Sequence, residues 1–296
     1  MRFRAPILDD APAVLAVLAA RELADLGVRM YTLEDLRDEW RASDFDLAHD
    51  AHVVETGADE IVAYATVGRP GSMAVVAPDR EGRGIGSRLL EWTEGRERAL
   101  GRALHRQWVG AKNASARGLL TRAGYERTRS NFRMVAPLDR VSAPVEAPAG
   151  VVLRPVDVDR DAVALHALDD AAFFGFADYV PESADQFRET QLEAHDFDSG
   201  LSRVAEEDGN IVGFLLARRR AHEQAGWIEI LAVDPDHQAR RIGTALLTHA
   251  FAAFAGAGLR EAQLGVASFN QRALRVYERV GMTPQLQFDI YERPVT

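Results

Sequence analysis

One short stretch of sequence occurs twice in this chain. Residues 235–247 read PDHQARRIGTALL, and residues 78–90 read PDREGRGIGSRLL. At an offset of 157 residues, the proline, the central arginine, the isoleucine–glycine pair and the two leucines coincide. Because each copy of an internal repeat has to form the same structural unit, this match constrains the fold of the whole chain.

The match continues on both sides of this stretch. Three further pairs are identical: Asn113 with Asn270, Gly124 with Gly281 and, at an offset of 150, Arg4 with Arg154. An offset that is constant, changes once and is constant again is expected of two copies of one fold. The second copy then has a longer connection, which the change places around residues 218–226.

The length of 296 residues is compatible with two domains or with one large domain. The repeat favours two: an N-terminal domain over 1–136 and a C-terminal domain over 151–296. The segment 137–150 contains Pro137, Pro144 and Pro148 and little apolar periodicity, so it is predicted to be a semi-rigid linker.

Each repeat is predicted to have the order βααβββαβα followed by a final strand. In both repeats an apolar strand leads through a short turn into a helix. Glycines at a helix N-terminus let backbone amides approach an anion, so the turn is typical of a phosphate or pyrophosphate site. The turn lacks the P-loop lysine and the context of the dinucleotide fingerprint, and a glycine-rich turn without a ligand remains an alternative.

Two motifs of the second repeat occur in the order found in a known family. Val233-Asp234-Pro235 is followed by Gln238, and residues 270–282 read NQRALRVYERVGM. Together they resemble the GNAT superfamily of acetyl-coenzyme A-dependent N-acetyltransferases, and the repeat resembles its two-domain members. The resemblance implies an α/β (α+β) fold with two tandem GNAT-like domains, each a mixed, mostly antiparallel sheet flanked by helices.

The resemblance also implies an acetyl-CoA site in the second repeat. Its residues would be Leu231, Ala232, Val233, Gln238, Ala239, Arg240, Arg241, Ile242, Gly243, Thr244 and Asn270. The matching positions of the first repeat would be Val76, Gly82, Arg83, Gly84 and Gly86. Asn270 is equally well explained as a plain helix N-cap.

The catalytic positions implied by the resemblance separate the two repeats. Tyr277 stands where the family has its general acid toward the departing thiolate, and its counterpart at offset 157 is Leu120. Glu229 stands where family members often place a general base, and its counterpart is Ser72. Alternatively, Tyr277 is an aromatic residue of the core, and Glu229 is an ordinary solvated strand residue.

Each loop departs from the family pattern at one position. The first repeat has Glu81 where the family has Gln or Arg, and a carboxylate facing a pyrophosphate would repel it. The second repeat has Arg241 in place of the first glycine, so the Arg241 side chain is expected to turn outward, where it could contact the 3′-phosphate of coenzyme A. The second repeat is therefore predicted to be catalytic and the first degenerate.

The resulting hypothesis is an acetyl-CoA-dependent N-acetyltransferase. It would move the acetyl group directly from the thioester to a primary amine of an unidentified small molecule or peptide, since the chain has no Cys to form an acetyl-cysteine. One alternative is a non-catalytic module that binds or senses acyl-CoA. Another places catalysis in the first repeat, with His105 or Tyr125 as the acid.

Composition limits the partners that the sequence predicts. The net charge of −10 and the lack of a basic stripe argue against nucleic acid, and no run of about 18 apolar residues suggests a membrane span. His49 and His52 lack a third ligand, so no metal is expected. A cytoplasmic monomer or homodimer with a small-molecule amine acceptor is expected. The connection around 218–226 and residues 173–182 are predicted to border its pocket. Asp178 and Glu182 could attract a cationic amine there, and a solvated loop explains them equally well.

Overall fold

The computed structural model describes residues 1–57, 60–69, 71–139, 143–176 and 179–295. Two compact units make up the chain: residues 1–131 with 287–296, and residues 132–286. The predicted domain ranges follow the sequence repeat and remain a prediction. Part of the proline-rich segment, 140–142, and Asp178 lie outside the described residues.

The first repeat contains six strands and five helices among its described residues. In chain order they are β1 (Arg2–Arg4), α1 (Ala11–Leu26), α2 (Leu33–Arg41), α3 (Leu47–Asp50), β2 (Ala51–Glu55), β3 (Ile61–Gly68), β4 (Gly71–Val76), α4 (Ile85–Ala99), β5 (Leu104–Gly110), α5 (Ala114–Arg122) and β6 (Glu126–Pro137).

The second repeat follows the same plan among its described residues. Its elements are β7 (Val151–Pro155), α6 (Val158–Phe173), α7 (Ala184–Phe187) with a π-helical turn (Arg188–Leu192), β8 (Arg203–Glu207), β9 (Asn210–Arg220), β10 (Ala225–Val233), α8 (Ile242–Gly256), β11 (Glu261–Ala267), α9 (Gln271–Arg279) and β12 (Thr283–Pro294). The predicted element order is confirmed in the second repeat, whereas the first repeat has an additional short helix, α3, before β2. Most of the predicted connection at 218–226 is instead strand, because β9 and β10 extend toward each other across a short turn at Ala221–Glu223.

The second helices of the two repeats begin with the same capping arrangement. Thr32 Oγ1 accepts a hydrogen bond from the Asp35 N–H at 3.1 Å, and Ser183 Oγ accepts one from the Gln186 N–H at 3.2 Å. In each case the third helical residue also accepts from the N–H of the cap, which is the reciprocal capping box. Local sequence therefore fixes where these helices begin.

Each repeat has a mixed sheet with mostly antiparallel neighbours, as predicted. In the first, β1, β2, β3 and β4 pair antiparallel in that order, and β4 meets β5 in parallel at Ser72 and Gln107. In the second, β7, β8, β9 and β10 pair antiparallel, and β10 pairs with β11 in parallel. In each repeat the helix that follows the predicted phosphate turn, α4 or α8, connects the two strands of this parallel pair.

Helices cover both faces of the sheet in the second repeat. One apolar cluster joins α8 and α9 to the sheet through residues such as Leu246, Phe254 and Leu264. The other joins α6 and α7 to the sheet through residues such as Leu165 and Phe187. None of the described helices has the length and apolar composition needed to cross a membrane.

Candidate active site

The parallel strands β10 and β11 separate toward their carboxyl ends. Their register runs from Ala225 with Glu261 to Ile228 with Leu264, whereas β10 remains paired with β9 as far as Val233. Ligands of open sheets bind beyond the carboxyl ends of parallel strands. The free edge of β10 after Ile228 can therefore pair with an extended ligand as an added strand would.

The helix that follows this opening begins without a side-chain cap. Arg241 is the N-cap of α8, and its side chain caps no backbone N–H. The first backbone bond of the helix runs from the Ala245 N–H to the Arg241 carbonyl at 3.0 Å. The N–H groups of residues 242–244 precede this ladder, so they and the helix dipole can bind an anion.

Both repeats form this turn with the same backbone. Gly82 and Gly84 have φ of 72° and 78°, and their counterparts Ala239 and Arg241 have φ of 62° and 67°. Left-handed backbone is free of strain for glycine but not for alanine or arginine. The second repeat therefore has the same turn geometry as the first, but Ala239 and Arg241 adopt it with backbone strain.

Replacing Arg241 by glycine is expected to raise the free energy of unfolding by up to about 1 kcal/mol. Relief of the left-handed strain contributes about 1–2 kcal/mol, and the greater unfolded-state entropy of glycine offsets about 0.4–1 kcal/mol. Denaturant unfolding measures the difference. In the first repeat, Gly84→Ala should cost up to about 1 kcal/mol by the same difference, since a Cβ there meets no atom within 4 Å and adds no clash. A destabilised Arg241→Gly protein would contradict the expectation.

The two arginines of the turn have different surroundings. Arg240 forms a bidentate ion pair with Glu207, with Nη1–Oε2 at 2.8 Å and Nη2–Oε1 at 2.6 Å. This pairing holds the pKa of the Glu207 carboxyl below its ordinary value. The exposed Arg241 side chain forms no ion pair within the described part of the chain. Arg241 is therefore the arginine of this turn whose charge is available to a ligand phosphate.

Gln238 links the turn to the next helix. Its amide donates to the Val233 carbonyl at 3.4 Å, and its Oε1 accepts a hydrogen bond from Arg272 near the start of α9. The loop after β10 and the N-terminus of α9 are thereby held together. The predicted loop residues and the predicted helix motif thus lie next to each other in space.

Asn270 and Tyr277 occupy opposite ends of α9. Asn270 is the N-cap, and its Oδ1 accepts from the Ala273 N–H at 3.1 Å. Tyr277 is 9% exposed and packs in the same apolar cluster as Leu231, Val233 and Leu264. Burial raises the pKa of the Tyr277 phenol to about 12, so this group stays protonated at neutral pH.

Glu229 lies at a β-bulge in β10. Ile228 pairs with Ala217 and Ile230 with Leu216, so Glu229 has no partner of its own on β9. Alternation along an ordinary strand would place Ile228 and Ile230 on one face. Instead they pack in the clusters on opposite faces of the sheet, so simple alternation does not hold around Glu229. The bulge re-aims the side chain, as bulges near functional sites commonly do.

The Glu229 carboxylate is held by two neighbours. Trp227 Nε1 donates to Glu229 Oε2 at 2.7 Å, and Arg218 Nε lies 3.1 Å from the same oxygen. The Glu229 side chain is 32% exposed. An ionised carboxylate with one free oxygen beside an open strand edge can accept a proton from an incoming ammonium group.

The equivalent turn of the first repeat is tied to helix α1. Glu81 pairs with Arg21, whose Nη2 lies 2.9 Å from Asp25 Oδ1. Asp25 Oδ2 in turn accepts a hydrogen bond from Asn113 Nδ2, at the start of α5, at 2.9 Å. These contacts form a polar bridge, Glu81–Arg21–Asp25–Asn113, that runs from the turn to the start of α5. In the second repeat, the corresponding turn and helix α9 flank the opening between β10 and β11.

The two repeats differ in where the first helix ends, which explains why the bridge occurs in one repeat. At the offset of 151 that aligns Thr32 with Ser183, α1 would correspond to residues 162–177, yet α6 ends at Phe173. Asp25 lies in the last turn of α1, and its counterpart, Phe176, follows the end of α6 and is 46% exposed. The first repeat therefore carries an extra helical turn over this region.

His105 and Tyr125 form a buried pair in the first repeat. They are 0% and 3% exposed, and His105 Nδ1 shares a hydrogen bond with the Tyr125 hydroxyl. Burial lowers the pKa of His105 to about 4 and raises that of Tyr125 to about 12. His105 is near the amino end of β5, away from the carboxyl ends where such sheets bind ligands. The pair is a structural feature of that core.

The sequence did not predict several contacts around the site. They involve Trp227 and Arg218 beside Glu229, Arg272 beside Gln238, and Arg21 with Asp25 in the first repeat. The Trp227–Glu229 spacing of two places both side chains on one face of an ordinary strand, which was a usable signal. The other contacts join distant elements, and no local pattern indicates them.

The chain matches one family model in both repeats. The model described as "Acetyltransferase (GNAT) family" matches residues 20–125 and 163–282, more than half of the chain. The chain belongs to the GNAT acetyltransferase family. It is thus an N-acetyltransferase of the GNAT type, and acetyl-CoA is the cosubstrate that this family uses.

Curated relatives of this GNAT acetyltransferase span most of its length. It is 32% identical over 252 residues to "Mycothiol acetyltransferase" of Sanguibacter keddieii, covering 78% of each chain. It is also 32% identical over 221 residues to the protein of that name in Streptomyces griseus, covering 72% of this chain and 68% of the relative.

Solved structures share the tandem architecture of this GNAT chain. A GCN5-related N-acetyltransferase from Sphaerobacter thermophilus is similar with a TM-score of 0.80 and 27% identity, over 99% of this chain and 95% of that one. A tandem GNAT protein from the clavulanic acid biosynthesis pathway has a TM-score of 0.77 at 17% identity, over 100% of this chain and 98% of that one. The second likeness concerns the fold alone.

Proposed function

We propose that the second repeat of this GNAT protein is its catalytic centre and transfers an acetyl group from acetyl-CoA to a primary amine of a small molecule. The observation that carries the proposal is the opening of β10 from β11 after Ile228, next to the uncapped N-terminus of α8. Glu229 on β10 and Tyr277 on α9 provide the two proton-transfer groups beside it.

The residues around the opening suit a long anionic thioester. The free edge of β10 at Leu231 and Val233 would pair with the pantetheine amides, and the N–H groups of residues 242–244 would hold the pyrophosphate. The Arg241 side chain, which forms no ion pair within the described residues, would contact the 3′-phosphate of coenzyme A. The absence of a side-chain cap at α8 supports this fit, since a built-in cap would compete for the same donors.

Acetyl transfer needs one proton removed and one supplied. The thioester provides an activated acetyl carbonyl, and a neutral amine is required to attack it. Glu229 would take a proton from the acceptor ammonium, and a β10 backbone amide would stabilise the developing oxyanion. Tyr277, kept protonated by its buried position, would donate to the sulfur of coenzyme A as the carbon–sulfur bond breaks.

The first repeat lacks both proton-transfer groups. Ser72 replaces Glu229, and its hydroxyl donates to Glu97 at 2.6 Å. Leu120, 4% exposed, replaces Tyr277 and cannot donate a proton. The polar bridge Glu81–Arg21–Asp25–Asn113 places the Glu81 carboxylate in the turn and ties the turn to α1 and α5. We propose that the first repeat binds no acetyl-CoA.

Counting bound cofactor tests this assignment. Native mass spectrometry is expected to find one coenzyme A per chain. Thr244→Asp places a carboxylate among the free amides of α8 and should weaken binding by at least about 10-fold, since a like charge nearby costs over 1.4 kcal/mol. Ser87→Asp, the same change at the matching position of the first repeat, should leave binding unchanged.

Two results would contradict the proposal. One is a second coenzyme A per chain that survives the Thr244→Asp change. The other is binding that fails in Ser87→Asp rather than in Thr244→Asp. Binding of one coenzyme A without turnover on a panel of primary amines would favour the non-catalytic acyl-CoA module instead.

A further inference from the structure

We propose that Trp227 and Arg218 are positioning residues that fix the Glu229 carboxylate for proton transfer. The inference rests on the proposed role of Glu229 as the general base. Both neighbours contact the same oxygen: Trp227 Nε1 donates to Oε2 at 2.7 Å, and Arg218 Nε lies 3.1 Å from it. Within the described residues, Oε1 accepts no hydrogen bond, so it is left for the acceptor amine.

Glu229 needs such support because of its place in the strand. The bulge leaves it without a register partner on β9, and its side chain is 32% exposed. An exposed glutamate samples several rotamers, whereas proton transfer requires the carboxylate within hydrogen-bond reach of the amine. Two contacts on one oxygen reduce this freedom and leave the other oxygen open.

Arg218 is itself anchored at its far end. Its Nη1 donates to Asp196 Oδ1 at 3.1 Å, and its Nη2 donates to the Thr190 carbonyl at 2.9 Å. Thr190 belongs to the π-helical turn 188–192, a conformation that is often found at functional sites. The side chains of Arg218 and Asp196 are 16% and 8% exposed. The guanidinium therefore links Glu229 to a packed part of the repeat.

Trp227 is also held in place. The guanidinium of Arg220 stacks on its ring, 4.4 Å from the ring centre, and a Cβ at Gly265 would lie 3.8 Å from the ring. The indole ring therefore lies close to the β11 backbone at Gly265. With its ring fixed on two sides, the indole N–H has a defined direction toward Glu229.

The first repeat has no such arrangement. At the offset of 150 that aligns Tyr64 with Phe214, the counterpart of Arg218 is Gly68. At the offset of 157, which applies further along the chain, the counterpart of Glu229 is Ser72. The Ser72 hydroxyl is buried and donates to Glu97. The arginine thus occurs in the repeat that also has the carboxylate it contacts.

Trp227→Phe tests the inference, since it keeps an aromatic ring and removes the N–H donor. Crystal structures of the wild type, Trp227→Phe and Arg218→Met are expected to show the Glu229 carboxylate displaced in both variants. Retention of its wild-type position in both would overturn the inference, whatever the activity of the protein. Trp92→Phe, in the first repeat, is the matched control.

Kinetics separate positioning from a general structural role. With an alkylamine, which is protonated at neutral pH, Trp227→Phe should lower kcat by about 10-fold and leave the KM for acetyl-CoA unchanged. With an arylhydrazine, already neutral, the loss should be below about 2-fold, because no proton has to be removed first. Arg218→Lys should retain more activity than Arg218→Met.

Equal losses with the alkylamine and the arylhydrazine would overturn the inference. Failure of the proposed function has a different signature: the wild type would acetylate neither amine, or Glu229→Gln would remain fully active. In those cases the crystal structures still decide whether Trp227 and Arg218 hold the carboxylate.

Discussion

Tyr277→Phe is expected to lower kcat for acetyl transfer by about 10²–10³-fold at neutral pH. General acid catalysis contributes about 10²–10⁴-fold in typical enzymes, and phenylalanine keeps the ring while removing the proton donor. The ring packs in the apolar cluster with Leu231, Val233 and Leu264, so the fold should be preserved. Steady-state rates of coenzyme A release with a primary amine measure the effect.

The pH profile adds a second check on the same residue. Burial raises the pKa of Tyr277 to about 12, so the phenol remains protonated and able to donate up to about pH 11. The wild type should therefore show no loss of activity from Tyr277 ionisation between pH 7 and 10. A basic limb in that range that disappears in Tyr277→Phe would contradict the raised pKa.

Controls separate loss of the acid from loss of the site. The dissociation constant for acetyl-CoA should be unchanged in Tyr277→Phe, because the proposed phosphate-binding donors lie on α8. Tyr125→Phe removes the hydroxyl of a buried tyrosine in the first repeat, next to His105, and should retain wild-type kcat. Unchanged acetyl transfer in Tyr277→Phe would remove this residue from the mechanism.

The sequence predicted the fold well because its signals are local or repeated. The β-strand, turn and helix order followed from hydrophobic periodicity and from glycine and proline positions, and the repeat allowed each copy to support the other. The capping box at Thr32 and the hairpin turn at residues 207–210 are fixed by neighbouring residues. The connection predicted around 218–226 is shorter in the structure, since arginines 218–220 continue β9 although their polarity does not indicate a strand.

The surroundings of the site were less accessible from the sequence. A bulge depends on the register between two strands, so the placement of Glu229 could not follow from alternation along β10. The polar bridge of the first repeat joins residues 21 and 25 to residues 81 and 113, and only tertiary structure brings them together. The Arg240–Glu207 ion pair likewise joins a turn to the end of β8.

The two repeats show how similar backbones differ in chemistry. Gly84 and Arg241 share a left-handed N-cap conformation, so the predicted phosphate turn has the same backbone shape in each repeat. The polar bridge and the replacements Ser72 and Leu120 nevertheless distinguish the first repeat. Preservation of a loop shape is thus weaker support for binding than the side chains that surround the loop.

Glu229→Gln should lower kcat/KM for an alkylamine acceptor by about 10²–10³-fold at pH 7. Glutamine has the same shape and can still accept the Trp227 hydrogen bond through its carbonyl oxygen, but it cannot take a proton. Binding of acetyl-CoA should be unaffected. The exposed Glu278, next to Tyr277 on α9, provides the matched control, and Glu278→Gln should behave as the wild type.

Raising the pH should partly restore the activity of Glu229→Gln. An alkylamine of pKa about 10 gains about 10-fold in its neutral fraction for each unit between pH 7 and 9, and the variant depends on that fraction. The wild type, which removes the proton itself, should respond less steeply. A constant ratio of wild-type to variant rates across this range would mean that Glu229 acts through binding or structure, because a missing base is compensated by free amine and a distorted site is not.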